Sequence, residues 1–137
     1  MRVRCNIPID EVGAYSIREL LDTLATIWAR YLAKHPLPCL YSSGIRFQKE
    51  PNAGQYEDWK PPHQTLEDGW GDCDDLVLYR VAELRSVGEC AKVVVMRRRG
   101  TNKFHVAVRR GDGRLEDPSL VVMKQAVVRA RNQWAKS

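Results

Sequence analysis

Apolar residues recur at helical spacing twice along the chain, then form one β-branched run and one stretch that alternates at strand spacing. Ile17, Leu20, Leu21, Leu24, Ile27, Trp28 and Tyr31 repeat every three or four positions, which places them along one helical face. Ser16 and Glu19 stand in the relation of a capping box, so a first helix is expected to open at Ser16 and to stop before His35-Pro36. Cys73, Val77, Val81 and Leu84 form a second helical stripe. Asp72 is placed as its N-cap, Asp75 as the reciprocal partner, and Gly88 as the residue that ends it in a left-handed turn. The β-branched run AKVVVMRRR then predicts a strand, followed by a turn around Gly100, Thr101 and Asn102. In the next strand, FHVAVRR, Phe104, Val106 and Val108 alternate with His105, Ala107 and Arg109, so the histidine faces away from the bulky apolar set.

Between these elements the stretch from Pro36 to Gly69 is rich in Pro, Gly, Asn and charge, and only YSSGIRFQKEP offers a short strand. It reads as a long segment over the surface, of the kind that often carries function. His35 and His63 read as loop residues, and Trp28, Trp59 and Trp134 as packing residues, with Trp59 and Tyr56 also candidates to line a groove. The organisation expected is a single domain with an N-terminal helical part (1–35), a loop-rich segment (36–69), a core (70–120) and a closing element (121–137). With 137 residues, 44% of them hydrophobic, the chain has room for one real core and not for two.

Charge and cysteine usage narrow the chemistry. The net charge of +5 suits an acidic partner. The arginines at 97–99, 109 and 110 come without a nucleic-acid motif or stacking platform, so a solvated hairpin rim is expected and no nucleic-acid partner. Cys5, Cys39, Cys73 and Cys90 are widely scattered, with no zinc-finger spacing. Neither a disulfide framework, nor a metal, nor any cofactor is expected. No apolar run is long enough to span a bilayer and the N-terminus lacks the layout of a signal peptide, which predicts a protein of a reducing cytosol.

A cysteine at a helix start, a histidine on a following strand and an aspartate on the next are the parts of an activated thiol nucleophile. The helix end favours thiolate, His105 can pair with it and carry its proton, and Asp117 can fix the imidazole tautomer. Turn length decides whether they meet. A three-residue loop Gly111-Asp112-Gly113 pairs Arg110 with Arg114 and sets Ala107 opposite Asp117. His105 then has Asp117 as its diagonal neighbour at about 7 to 8 Å between Cα atoms. A two-residue loop would turn the aspartate to the other face. Taken singly, Cys73 reads equally as a small buried residue, His105 as a hydrogen-bonded strand histidine and Asp117 as a turn cap.

The run GWGDCDDLVLYRVAELRSVGECAKVVVM, then FHVAV, then GRLEDPS resembles the transglutaminase-like cysteine peptidase superfamily, over roughly residues 45 to 120. With IRFQKEP, YEDW and TLEDGWGDCDDL the pattern is most similar to the small transglutaminase-like proteins of tailed bacteriophages and prophages. The resemblance implies an α+β, papain-like core with the Cys-bearing helix packed on an antiparallel sheet. It implies Cys73 as nucleophile, His105 as general base and acid, and Asp117 as the orienting carboxylate. The substrate implied is a protein or peptide, with hydrolysis favoured over cross-linking. The setting implied is the cytoplasm of a bacterial host, with association with the virion and its head or tail proteins as the alternative, in which the scaffold binds without catalysis. Papain-type enzymes carry a glutamine upstream of the cysteine, but six residues before Cys73 stands Glu67. Gln64, the Trp70 indole N–H and the helix-start amides remain as oxyanion donors. Asp72 and Asp75 have capping roles to fill, whereas Asp74 is left to face solvent, bind a substrate cation or hold a neighbouring loop.

Overall fold

The computed structural model describes residues 3–5, 11–49, 57–97 and 104–136. In chain order these form β1 (Val3–Cys5), α1 (Glu11–Lys34), a 3-10 turn (Leu40–Ser42), β2 (Arg46–Phe47), β3 (Glu57–Trp59), α2 (Pro62–Asp68), β4 (Trp70–Gly71), α3 (Cys73–Ser86), β5 (Lys92–Arg97), β6 (Phe104–Arg109), β7 (Leu115–Glu116) and α4 (Pro118–Lys136). The chain is therefore a mixed α+β protein. Among the described residues β5, β6 and β7 make an antiparallel sheet in that order, β1 pairs with β3, and β2 runs parallel to β4. No helix among them is long and apolar enough to cross a membrane.

The centre of the molecule is α3. Its Val77, Leu78, Val81 and Leu84 join Ile17, Leu21, Leu24 and Ala25 of α1 and Val93, Val106 and Val108 of the sheet in one core, with Cys73 at the margin. Leu76 and Tyr79, on another side of the same helix, close a second core with Leu40, Ile45 and Val122. The single stripe read from the sequence is thus one of two, because α3 is covered on more than one face. Each fully buried Val, Leu or Ile in these clusters stabilises the fold by about 1.5 to 3 kcal/mol. At the far end Gly88 N donates to Arg85 O at 3.0 Å and Glu89 N to Leu84 O at 3.0 Å, the paired bonds of a Schellman stop.

Several expectations are corrected. Helix α1 begins at Glu11, so Ser16 and Glu19 lie inside it rather than at its start. The segment 36–69 holds the helix α2, whose first residue is Pro62 and whose cap is Gly69. A Pro at the first helical position and a Gly just past the last are start and stop signals, and they outweigh the loop-like composition between them. His63 accordingly stands on α2, half-buried, with its ring 5.3 Å from that of Trp28 and 5.9 Å from that of Tyr31. Trp134 is 84% exposed and is no packing residue. In α4 only Pro118, Ser119 and Val122 are buried, while Val127 and Val128 are about half exposed. The turn expected around Gly100 lies outside the described residues, as does Tyr56.

Candidate functional site

Two glycines flank Trp70 just ahead of Cys73. Gly69 closes α2, and Gly71 sits where a Cβ would come within 2.9 Å of the Asp75 Cβ and 3.2 Å of the Thr65 Cγ2. That close approach lets α2 and α3 converge on one short segment. Asp72 caps α3, as expected: Asp75 N donates to Asp72 Oδ1 at 3.1 Å and Asp72 N donates to Asp75 Oδ2 at 3.3 Å. The second oxygen of Asp75 has a further task, accepting from Lys60 N at 2.8 Å. Cys73 is therefore the first residue of a helix whose entry is held from both sides.

The surroundings of the thiol are acidic. Asp74 is 8% exposed, so it does not face solvent, and Cys73 Sγ donates to its Oδ1 at 3.8 Å. A carboxylate that accepts the S–H proton favours the thiol over the thiolate. The partial positive charge of the helix start acts in the opposite sense.

Across the sheet the turn has the odd length that the triad requires. Arg110 N donates to Arg114 O at 2.8 Å, Gly113 N donates to Arg110 O at 2.9 Å, and Gly113 takes φ 90, a left-handed value that favours glycine. The ladder pairs Val108 with Glu116 and Arg109 with Leu115. Continued by one step, it brings Asp117 to the face of Ala107 and His105, and His105 Nε2 lies 2.5 Å from Asp117 Oδ2. A carboxylate accepts, so Nε2 carries the hydrogen and Nδ1 is left as the acceptor of the ring. The other oxygen of Asp117 caps α4, accepting from Ser119 N at 3.1 Å and Leu120 N at 3.4 Å. The turn-cap reading of the Asp-Pro pair and the His-orienting one are both satisfied by the same side chain.

Chain direction locates Cys73 relative to this pair. A short connection carries the end of α3 into the start of β5, so α3 runs against β5 and alongside β6. Fourteen helical residues span about 20 Å and six strand residues about 17 Å. Cys73 and His105 thus lie toward the same end of the helix–sheet layer, but His105 is on the Ala107 face of β6, opposite the Val106 and Val108 face that packs against α3.

The remaining candidates divide. Gln64 Nε2 donates to Asp68 Oδ1 at 2.8 Å along α2. Trp70 is half-buried, and its ring lies under the Lys60 ammonium, 3.5 Å from the ring centroid. Trp59 is 1% exposed within the main core and lines no open groove. Among the described residues no group of three or more His, Cys, Asp or Glu is arranged to hold a metal.

Two features escaped the sequence. One is Lys60, with a 0% exposed side chain whose Nζ donates to Trp70 O at 2.7 Å and Asp68 Oδ2 at 3.0 Å. The other is a network around Arg80, which donates to Glu116 Oε2 at 2.7 Å and Glu83 Oε1 at 2.8 Å and lies over the Tyr41 ring. Arg110 joins it through Glu116 at 2.8 Å and through Glu89, so that arginine of the expected rim is paired. No protein-family model, curated protein or solved structure matches the chain.

Proposed function

We propose that the chain is a transglutaminase-like cysteine peptidase or acyl transferase with a papain-like core, of the kind encoded by tailed phages and prophages. The supporting observation is the His105–Asp117 pair, joined at 2.5 Å by a turn of the required length, at the end of the layer where Cys73 opens α3. In this reading the Cys73 thiolate attacks the carbonyl carbon of a peptide, isopeptide or glutamine-type amide. His105 takes the thiol proton through Nδ1 and returns it to the departing amine, and water resolves the thioester. Asp117 holds the Nε2–H tautomer and stabilises the imidazolium.

A second reading, a catalytically silent head or tail assembly protein, is favoured by one observation, the buried Asp74 that accepts the thiol proton. For the first reading to hold, the His105 imidazolium must reach Cys73 round the end of the sheet and outweigh that carboxylate. The pH profile of Cys73 alkylation, in the parent and in His105→Ala, separates the two. Labelling that persists well below pH 8.5, near the ordinary cysteine pKa of about 8.5, and at least about tenfold slower at neutral pH in His105→Ala, is expected of the Cys–His pair. An ordinary profile unchanged by the substitution means that the pair does not form.

A further inference from the structure

Strand β5 is an edge of its sheet among the described residues, and its hydrogen bonding shows which of its groups point outward. Arg110 and Arg114 bond across the β6–β7 turn, so by alternation Val108 also bonds toward β7, and its partner Val93 directs its own N–H and C=O away from β6. The structure agrees: Val93 N donates outward, to Asp22 Oδ1 of α1 at 3.2 Å. Two residues on, Val95 has the same orientation. The edge therefore presents the Val93 carbonyl and both backbone groups of Val95.

Beside this edge lies a groove of about 650 Å³ between α1 and β5, lined by Ala14, Tyr15, Arg18, Asp22, Lys92 to Val95 and Arg109. Its charge is one-sided. Asp22 is neutralised by Arg85 Nη2 at 2.7 Å as well as by the Val93 amide. Arg18 pairs with the exposed Glu19 at 3.5 Å and lies over the Tyr15 ring, 5.1 Å from its centroid, while Arg109 donates to the Gly113 carbonyl and Lys92 stands exposed on the strand.

We propose that this groove docks an extended acidic peptide segment of a partner protein, which adds to β5 as a fourth strand. Backbone bonds to Val93 O, Val95 N and Val95 O hold the peptide's main chain. Every second side chain of the peptide, glutamate or aspartate, lies on the face of Lys92 and Arg109, and the residues between lie on the α1 side, against Ala14 and Tyr15 and beside Arg18. A basic or neutral segment gains the backbone bonds without the charge pairing. A second copy of this chain would bring its own β5 cations against these, so self-pairing is disfavoured. The proposal is independent of catalysis at Cys73.

The test uses the full chain and a fluorescent, end-capped peptide of alternating glutamate and valine, with binding followed by polarisation. Controls are a lysine-for-glutamate peptide and one N-methylated at alternate residues. Expected are binding that weakens with added salt, loss of binding by the lysine and N-methylated peptides, and about a tenfold or greater loss of affinity in the double variant Arg18→Glu, Lys92→Glu. The Val95 amide resonance should shift on titration. Val95→Pro, which removes an outward N–H, should abolish binding, and because the charge-reversal variant and the N-methylated peptide leave the strand intact, the test does not depend on that variant folding. Absence of binding at about 1 mM peptide, equal affinity for the acidic and basic peptides, indifference to charge reversal, or concentration-dependent dimerisation blocked by Val95→Pro would each overturn the proposal.

Discussion

Replacing Arg80 with methionine is expected to lower the unfolding free energy by about 3 kcal/mol, read from urea denaturation near neutral pH. The Arg80 side chain is 11% exposed, and its guanidinium binds Glu116, Glu83 and the face of Tyr41. Methionine fills much of the volume but leaves two carboxylates, 15% and 16% exposed, short of their shared cation. The acid limb gives a second readout. Burial pushes the Glu116 carboxyl up, but its hydrogen bonds to Arg80, Tyr41 and Arg110 outweigh that and leave it below the ordinary range. A depressed carboxylate contributes stability that is present above its unfolded pKa of about 4.3 and is lost as the pH falls through the folded value. Stability of the parent should therefore decline below about pH 4.3, and Glu89, held at about 2 by its hydrogen bonds to Arg110, carries the decline to that pH. In Arg80→Met the same decline should be shallower, since Glu116 has lost its principal cation. Parallel acid limbs in the two proteins would contradict this account.

Substitution of Lys60 by methionine should cost a similar amount, about 3 kcal/mol, and should also reach the thiol. Lys60 Nζ holds the Trp70 carbonyl and the Asp68 carboxylate, and the Lys60 backbone amide holds Asp75. These bonds fix the short segment from Gly69 to Asp72 that delivers Cys73 to the start of α3. Methionine supplies the apolar stem but no donor, so a buried carbonyl loses its partner. Cys73 is expected to label several-fold faster with a neutral thiol reagent in Lys60→Met, through more frequent opening of this segment. Lys60→Arg retains the charge, and should recover part of the stability if charge and not shape is what matters. Equal labelling rates in Lys60→Met and the parent would show that the buried lysine does not control the helix entry.

The parts of the fold legible in the sequence are those written in local chemistry. The Asp72/Asp75 box, the Gly88 stop and the Gly111-Asp112-Gly113 turn each depend on a few neighbouring residues, and all three appear as read. The His105–Asp117 contact was legible too, because strand period and turn length together determine which faces meet. What was not legible depends on partners distant in sequence. Lys60 has the composition of a surface residue, and only the return of Trp70 and Asp68 beside it gives the ammonium partners in the interior. Asp74 is buried because α3 is covered on more than one side, which its own spacing does not reveal. Trp59 sits in a polar, charged stretch, yet β3 carries it into the main core. Helix α2 was obscured because its few apolar positions give no periodic signal over seven residues.

The packing of α4 has a consequence for how the molecule opens. Its first turn is fastened by the Asp117 carboxylate and buried through Pro118, Ser119 and Val122, whereas its later turns lie largely in solvent. Amide protons beyond Arg129 should exchange through fraying of the distal turns, with little protection. Those of Val121 and Val122 should exchange only when the helix start itself opens, and because the same carboxylate binds His105, that opening also releases the imidazole. A step in protection along a single helix, located by hydrogen–deuterium exchange, would thus report on the order of the histidine from more than a turn away.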